Sequence, residues 1–427
     1  MGHHLDRGLD AGPNEAATTV LIDAGHLVVP SSGAVLADQR VLIEGQRILA
    51  IGPDLDAPPE AERIDLSDAW LLPGLIDCHT HLCFGVRPIR SDRQRELEAS
   101  VLTYTASNST AWRALQGAHN ARAMLRAGFT TVRDLGNAGA WADSALARAI
   151  EEGLVPGPTM ICSGKALTPS GGQYASGIVP PERPGLVGID WTVADTRERM
   201  LAAMRENVAH GAKLIKVIVD DQRCGYTRDE LAFVVEHARD AGLAVAAHCV
   251  TDAGTRRAAL AGVSSIEHAV EASRETLELV RDHGVVLVGT ELSQGYLEAA
   301  GAPPDHAREL HEQVITRLRH AIELGVEMAF GSDIMSDIPG RDRGQLALTI
   351  LDSYVEVGLA PLRAISMLTR DAAKLLGLDD DRGDLRVGLR ADLVATSRDP
   401  LQDIRALREL RLVMQGGRVL ALARRPP

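Results

Sequence analysis

The sequence predicts an α/β protein, a (β/α)8 TIM barrel carrying a small β-sandwich-like domain built from both chain termini. Three observations carry this. Between residues 69 and 384 short apolar runs alternate with amphipathic stretches, the pattern of parallel β/α units. Eight such runs can be counted, the number that closes a barrel. Brief strand-like segments broken by glycines recur near both ends, and segments that short need partners. The 427 residues leave room for a barrel of about 250 and a smaller second unit.

In chain order, residues 1–17 lack an apolar stretch and are expected to be a disordered lead-in without secretory signal or anchor. Residues 18–68 and 385–424 form the expected composite β domain. The first part reads TTVLIDAGHLVVP and AVLADQRVLIEGQRILAIG, punctuated by Gly45 and Gly52; the second turns at Gly388, Gly416 and Gly417. Within the barrel region, 69–384, strands are expected at 71–78, 129–134, 158–163, 214–219, 243–248, 263–268, 285–290 and 326–331. Helices are expected at 194–210, 227–241 and 304–324, with Gly211, Gly242 and Gly325 as stops. Residues 82–107 and 164–190 read as long irregular loops that shape a substrate pocket.

Composition excludes several classes. A net charge of −13 with 3% aromatic residues is the reverse of a nucleic-acid-binding footprint. No stretch approaches the roughly 20 apolar residues of a membrane span. The five cysteines show no C-x-x-C spacing, which suits a reducing, cytoplasmic setting. Cys78 and Cys249, beside candidate site residues, should face outward as core filler. A small-molecule substrate and a homo-oligomeric state are expected.

Candidate metal-ligating residues sit where predicted strands end. His79 and His81 follow the apolar run of LLPGLIDCHTHL; Lys216, His248, His268 and Asp333 occupy GAKLIKVIVD, GLAVAAHCV, GVSSIEHAV and GVEMAFGSD. Any one alone reads as a core histidine or a turn aspartate. Six at the same end of successive strands read as one metal site. Only four of the 45 basic residues are lysines, and Lys216 shares a strand face with Leu214 and Ile218. An unpaired ammonium there is costly, so the lysine needs a partner or a modification. Burial lowers a lysine's pKa, and a neutral amine can add carbon dioxide to become an anionic carbamate, which arginine cannot do.

PGLIDCHTHL, the GAKLIKV lysine, AAHC, IEHA, FGSD and the C-terminal GLRADLVATSRDPL together resemble the amidohydrolase superfamily, over nearly the whole chain. The branch they resemble is the imidazolonepropionase-like one, which includes Xaa-Pro dipeptidases, ochratoxin-type amidases and phenylurea or thiocarbamate hydrolases. The resemblance implies that His79, His81 and Asp333 hold one divalent metal, that His248 and His268 hold a second, and that carboxylated Lys216 bridges them. Zinc is the expected metal.

Two cations flanking one water yield a hydroxide near neutrality and polarise a substrate carbonyl, while Asp333 is placed to move the proton to the leaving amine. The expected activity is hydrolysis of an amide-like C–N bond, in an amide, carbamate or urea. An Xaa-Pro dipeptidase or carboxypeptidase-like activity, a mononuclear cyclic amidase or deaminase, and a catalytically silent scaffold are the competing readings. Relatives that cleave dipeptides show His after a Gly-Gly pair beyond strand three and Tyr two residues beyond the fifth-strand His. This chain has Gln173 and Val250 there. Recognition of a free carboxylate is therefore not expected unless Tyr174, Arg87, Arg341 or Arg343 compensates.

Overall fold

The computed structural model describes residues 5–6, 19–88, 94–170, 173, 184–221 and 224–423. The first strands are β1 (Leu5–Asp6), β2 (Thr19–Val29), β3 (Ala34–Glu44), β4 (Arg47–Gly52) and β5 (Glu62–Pro73). The middle of the chain contributes β6 (Leu75–Thr80), β7 (Phe129–Asp134), β8 (Thr159–Cys162), β9 (Ala166–Thr168), β10 (Trp191–Val193), β11 (Leu214–Ile218), β12 (Ala244–Cys249), β13 (Ser265–His268) and β14 (Val286–Val288). β15 (Leu393–Thr396), β16 (Leu410–Gln415) and β17 (Arg418–Leu422) complete the strands.

Both chain ends share one sheet, ordered β1-β17-β16-β15-β5-β2-β3-β4. Its central strand β5 shows why. Leu71 packs among Ile22, Leu66, Leu393 and Leu412, while its neighbour Leu72 joins the large core with Leu75, Phe129 and Val394. Successive side chains point to opposite faces, so one strand seals the small unit and docks it on the rest. Of the expected lead-in, residues 5–6 pair with β17 and the others lie outside the described residues.

The expected strand 71–78 is two strands. Gly74 divides them: its N–H donates to Asp392 O at 2.7 Å, and a Cβ there would lie 2.3 Å from Thr130 Oγ1. The chain passes from one sheet to the other where only glycine fits.

Beyond Gly74 the strands pair in parallel, as β6-β7-β8 and β10-β9-β11-β12-β13-β14. Single backbone bonds continue the series. Lys213 N–H donates to Cys162 O at 2.8 Å beside β8 and β11. Leu287 N–H donates to Glu327 O at 2.9 Å, and Cys78 N–H to Phe330 O at 2.8 Å. Segment 326–331, expected as a strand, forms only the Leu287–Met328 bridge yet joins β14 to β6. The result is a mixed α/β protein with one sheet-rich unit.

Helices cover these strands. Arg228–Asp240 starts with a capping box between Thr227 and Glu230, and Pro304–Leu324 stops at Gly325 with φ +69°. The stretch 82–107 is not irregular throughout, since Gln94–Ser107 is helical, and 164–190 contains β9 and the short helix Pro184–Val187. Among the described residues no helix is long and apolar enough to cross a membrane.

Candidate metal centre and active site

One narrow cavity gathers all six candidates. His79, His81, Lys216, His248, His268 and Asp333 line it with Leu135, Asn137, Ala166, Gln173, Ile218 and Met335. Strand alternation delivers most of them: Lys216 and Ile218 face inward from β11 while Ile215 and Val217 pack outward, and Cys249 packs outward beside His248. Cys78 likewise packs with Ala372 and Ala373. His268 breaks the alternation. Ser265 and Glu267 face inward on β13, so His268 would face outward had its φ of +69° not turned it back. Asp333 also sits in the left-handed region, at +51°.

Each imidazole has one nitrogen tied by the protein. His79 Nδ1 meets Glu267 Oε2 at 2.8 Å, His81 Nδ1 meets Gly136 O at 2.9 Å, His268 Nδ1 meets Thr290 Oγ1 at 2.8 Å, and His248 Nε2 meets Asp221 Oδ1 at 2.6 Å. The remaining nitrogens are Nε2 of three rings and Nδ1 of His248. Two of them, on His79 and His81, lie 3.5 and 3.2 Å from Asp333 Oδ1. Ring centroids of His79 and His268 are 4.9 Å apart, and those of His248 and His268 4.6 Å. Orienting acceptors behind histidines are the usual surroundings of metal-binding rings.

The electrostatics suit a cation. Burial, then the Lys216 charge, holds His79 well below the ordinary histidine range, and burial with the neighbouring His248 and His79 does the same to His268. These rings are neutral and keep a lone pair. Burial works against the Asp333 carboxylate, but the hydrogen bond and charge of His81, whose own pKa Asp333 raises against burial, together with the Lys216 charge hold it below the usual value. Lys216 Nζ is buried with no hydrogen-bond partner, and burial lowers its pKa to about 8. An orphaned amine among four cavity-lining imidazoles and a carboxylate is a donor set that a divalent metal and a carbamate would satisfy.

His79, His81 and Asp333 present ligand atoms close enough to share one ion, and so do Asp220, Asp221 and His248. The second trio is better read as support. Asp220 accepts the Val250 and Thr251 N–H groups at 3.0 and 2.8 Å and the Thr251 hydroxyl at 2.5 Å, and Asp221 is engaged by His248.

Of the expected substrate contacts, Gln173 lines the cavity, and its side chain bonds Asp221. Val250 is not among the lining residues, and Tyr174 lies outside the described residues. Arg87, Arg341 and Arg343 line a different cavity of about 740 Å³ with Gln116, His119 and Asp337. Arg343 is engaged there by Ile334 O, Phe84 O and Asp337. His119 belongs to helix Thr110–Arg126.

Sequence reasoning passed over the groups behind the rings. Glu267 binds Arg133 at 2.8 Å and Ser265 at 2.5 Å, all three buried. Asp77 accepts the His79 and Ser332 N–H groups at 3.0 Å each, and burial pushes its carboxyl up to about 7. A charged residue inside an apolar strand was the available signal, in IEH and TTVRD.

The amidohydrolase family model matches residues 70–420. The chain belongs to the amidohydrolase family. It is 30% identical over 442 residues to ochratoxinase of Aspergillus niger, covering 94% of this chain and 86% of that protein. It is 30% identical to imidazolonepropionase of Paracoccus denitrificans, covering 85% and 89% of the two chains. The crystal structure of a Xaa-Pro dipeptidase with bound methionine in the active site superposes with a TM-score of 0.81 at 27% identity, over 94% of this chain and 99% of the other. Its family and structural neighbours imply a TIM-barrel fold. This amidohydrolase is therefore an enzyme, a hydrolase acting on amide-type C–N bonds.

Proposed function

We propose that the protein is a binuclear-metal amidohydrolase cleaving an amide, carbamate or urea bond of a small molecule, within a closed (β/α)8 barrel at 69–384 flanked by the composite β domain of 18–68 and 385–424. The backbone bonds that continue from β8 to β11 and from β14 through 326–331 to β6 support closure. The stepping point at Gly74 supports a boundary a few residues later than 68.

The carrying observation is the unpartnered Lys216 amine surrounded by histidines whose other nitrogens are already tied. His79, His81 and Asp333 would hold one ion, His248 and His268 a second, with carboxylated Lys216 between them. When bound, such ions acidify a water molecule and polarise a carbonyl. Asp333, held below the usual carboxylate range with His81 as its hydrogen-bond partner, takes the proton of the attacking water and passes it to the leaving nitrogen. Leu135, Ala166, Ile218 and Met335 supply apolar walls that limit water access. Zinc as the metal, a homo-oligomeric state and a cytoplasmic setting belong to the same proposal; the five cysteines are all free.

A free carboxylate on the substrate is dispensable, because no cationic side chain except Lys216 lines the cavity among the described residues. A panel of amides, carbamates and ureas, with N-acyl amino acids compared against their amidated forms, tests this after loading with zinc, cobalt or manganese and bicarbonate. Metal-dependent turnover with acid and amide forms used comparably is the expected result. A strong preference for the free acids supports the dipeptidase alternative, which the 27% identical Xaa-Pro dipeptidase structure favours. No turnover with any metal overturns the proposal.

A further inference from the structure

Thr290 follows β14 with φ +49°. A β-branched residue is crowded in the left-handed region, and such a conformation persists only where the surroundings over-determine it. Here they do. Thr290 O accepts the Leu292 N–H at 2.7 Å, closing a tight turn. Arg317, on helix Pro304–Leu324, donates to Gly289 O and to Glu291 Oε1, each at 2.8 Å. Ser353 Oγ donates to Glu291 O at 2.8 Å, and the Tyr354 hydroxyl reaches the other Glu291 oxygen at 3.3 Å. The carbonyls on both sides of Thr290 are thus held by separate helices.

The clamp is fully enclosed. Glu291 and Arg317 side chains are each 1% exposed, and a Cβ on Gly289 would fall 1.9 Å from Glu291 Oε1 and 2.2 Å from Arg317 Nη1. A buried ion pair is weak evidence for stability, so its use here calls for another purpose. What it fixes is the Thr290 hydroxyl, 2.8 Å from His268 Nδ1.

We propose that Thr290 is a positioning residue for the second metal ion: the Glu291–Arg317 clamp sets the backbone that places its hydroxyl 2.8 Å from His268 Nδ1, so that it takes the Nδ1–H in place of the Asp333 oxygen 3.8 Å away and leaves the Nε2 lone pair for the ion. This rests on the two-metal reading above. A hydroxyl, unlike the Gly136 carbonyl behind His81, sits on a side chain, so its place depends on the backbone that the clamp holds. The metal site is thereby tied to a helix pair behind the strand.

The test compares wild type, Thr290→Val and Thr290→Ser by zinc content across a chelator series, with thermal unfolding of the metal-free proteins alongside. Valine keeps volume and branching but removes the acceptor; serine keeps the acceptor. Wild type and Thr290→Ser are expected to hold two ions. Thr290→Val should keep the first and bind the second about 10- to 100-fold more weakly, with little change in unfolding temperature. Thr290→Val titrating as wild type does, or losing both ions equally, overturns the proposal. A wild-type chain that takes up no second ion removes the two-metal reading itself, and this inference with it.

Discussion

One oxygen of Glu267 meets His79 Nδ1 at 2.8 Å while the other receives the Arg133 guanidinium at the same distance, in a setting with almost no solvent exposure. The carboxylate oxygen facing His79 accepts the Nδ1–H and so fixes the His79 tautomer. Glu267→Gln is expected to weaken the first metal ion by about 10- to 100-fold. It also leaves Arg133 charged and buried, at a cost of about 3–5 kcal/mol. Denaturant unfolding of the metal-free protein and chelator competition measure the two effects. Adding Arg133→Met should recover stability but not metal affinity; recovery of both would show that Glu267 acts on the fold alone.

Lys216 should need carbon dioxide. Its neutral amine attacks carbon dioxide, forming the N–C bond and losing a proton, and the protonated amine cannot. With the pKa lowered to about 8, the reactive fraction falls about tenfold for each pH unit below that value. Bicarbonate-dependent activation of metal-free protein should thus be markedly faster at pH 8 than at pH 6. Lys216→Arg, permanently protonated, should not bind the bridged pair of ions at any bicarbonate concentration. Activation independent of both pH and bicarbonate would count against the carbamate.

Those two residues also mark what could be read from the sequence. Lys216 declared itself because a rare lysine stood inside LIKVIV, and the two N-terminal histidines because an apolar run led into them. Glu267 stood beside a candidate and was passed over, since its partners Arg133 and His79 lie 134 and 188 positions away. Strand limits failed for a related reason. Leu71–Leu72 and Leu75–Ile76 look continuous, and only the closeness of Thr130 to Gly74 explains the break. His268 was found by its letter, yet the turn of backbone that brings it inward has no signature in IEHA.

Gly331, in FGSD, touches the first metal position through its missing side chain. A Cβ there would stand 2.3 Å from Val288 Cγ1 and 2.8 Å from His79 Cβ. Both neighbours are buried, so relief requires moving a strand or the ring. Gly331→Ala should destabilise by about 1–3 kcal/mol and, by displacing His79 Cβ, reduce first-site zinc affinity. Chemical denaturation and metal content report the two parts; an unchanged zinc affinity with lowered stability would mean that Val288 yields instead.

Asp221 carries the orientation of His248, and Gln173 in turn bonds Asp221, so a loop residue and a ring share one carboxylate. His248 and the Gln173 hydrogen bond hold that carboxylate below its usual pKa in spite of burial, and it remains an acceptor at neutral pH. Asp221→Asn keeps the shape but removes the charge, and should weaken the second ion by about 10- to 100-fold while leaving the first unchanged. Gln173→Ala should act in the same direction with a smaller effect, and without altering the ratio of activity on acid and amidated substrates. If that ratio shifts while metal content holds, Gln173 contacts the substrate itself, and the carboxylate question returns to this residue.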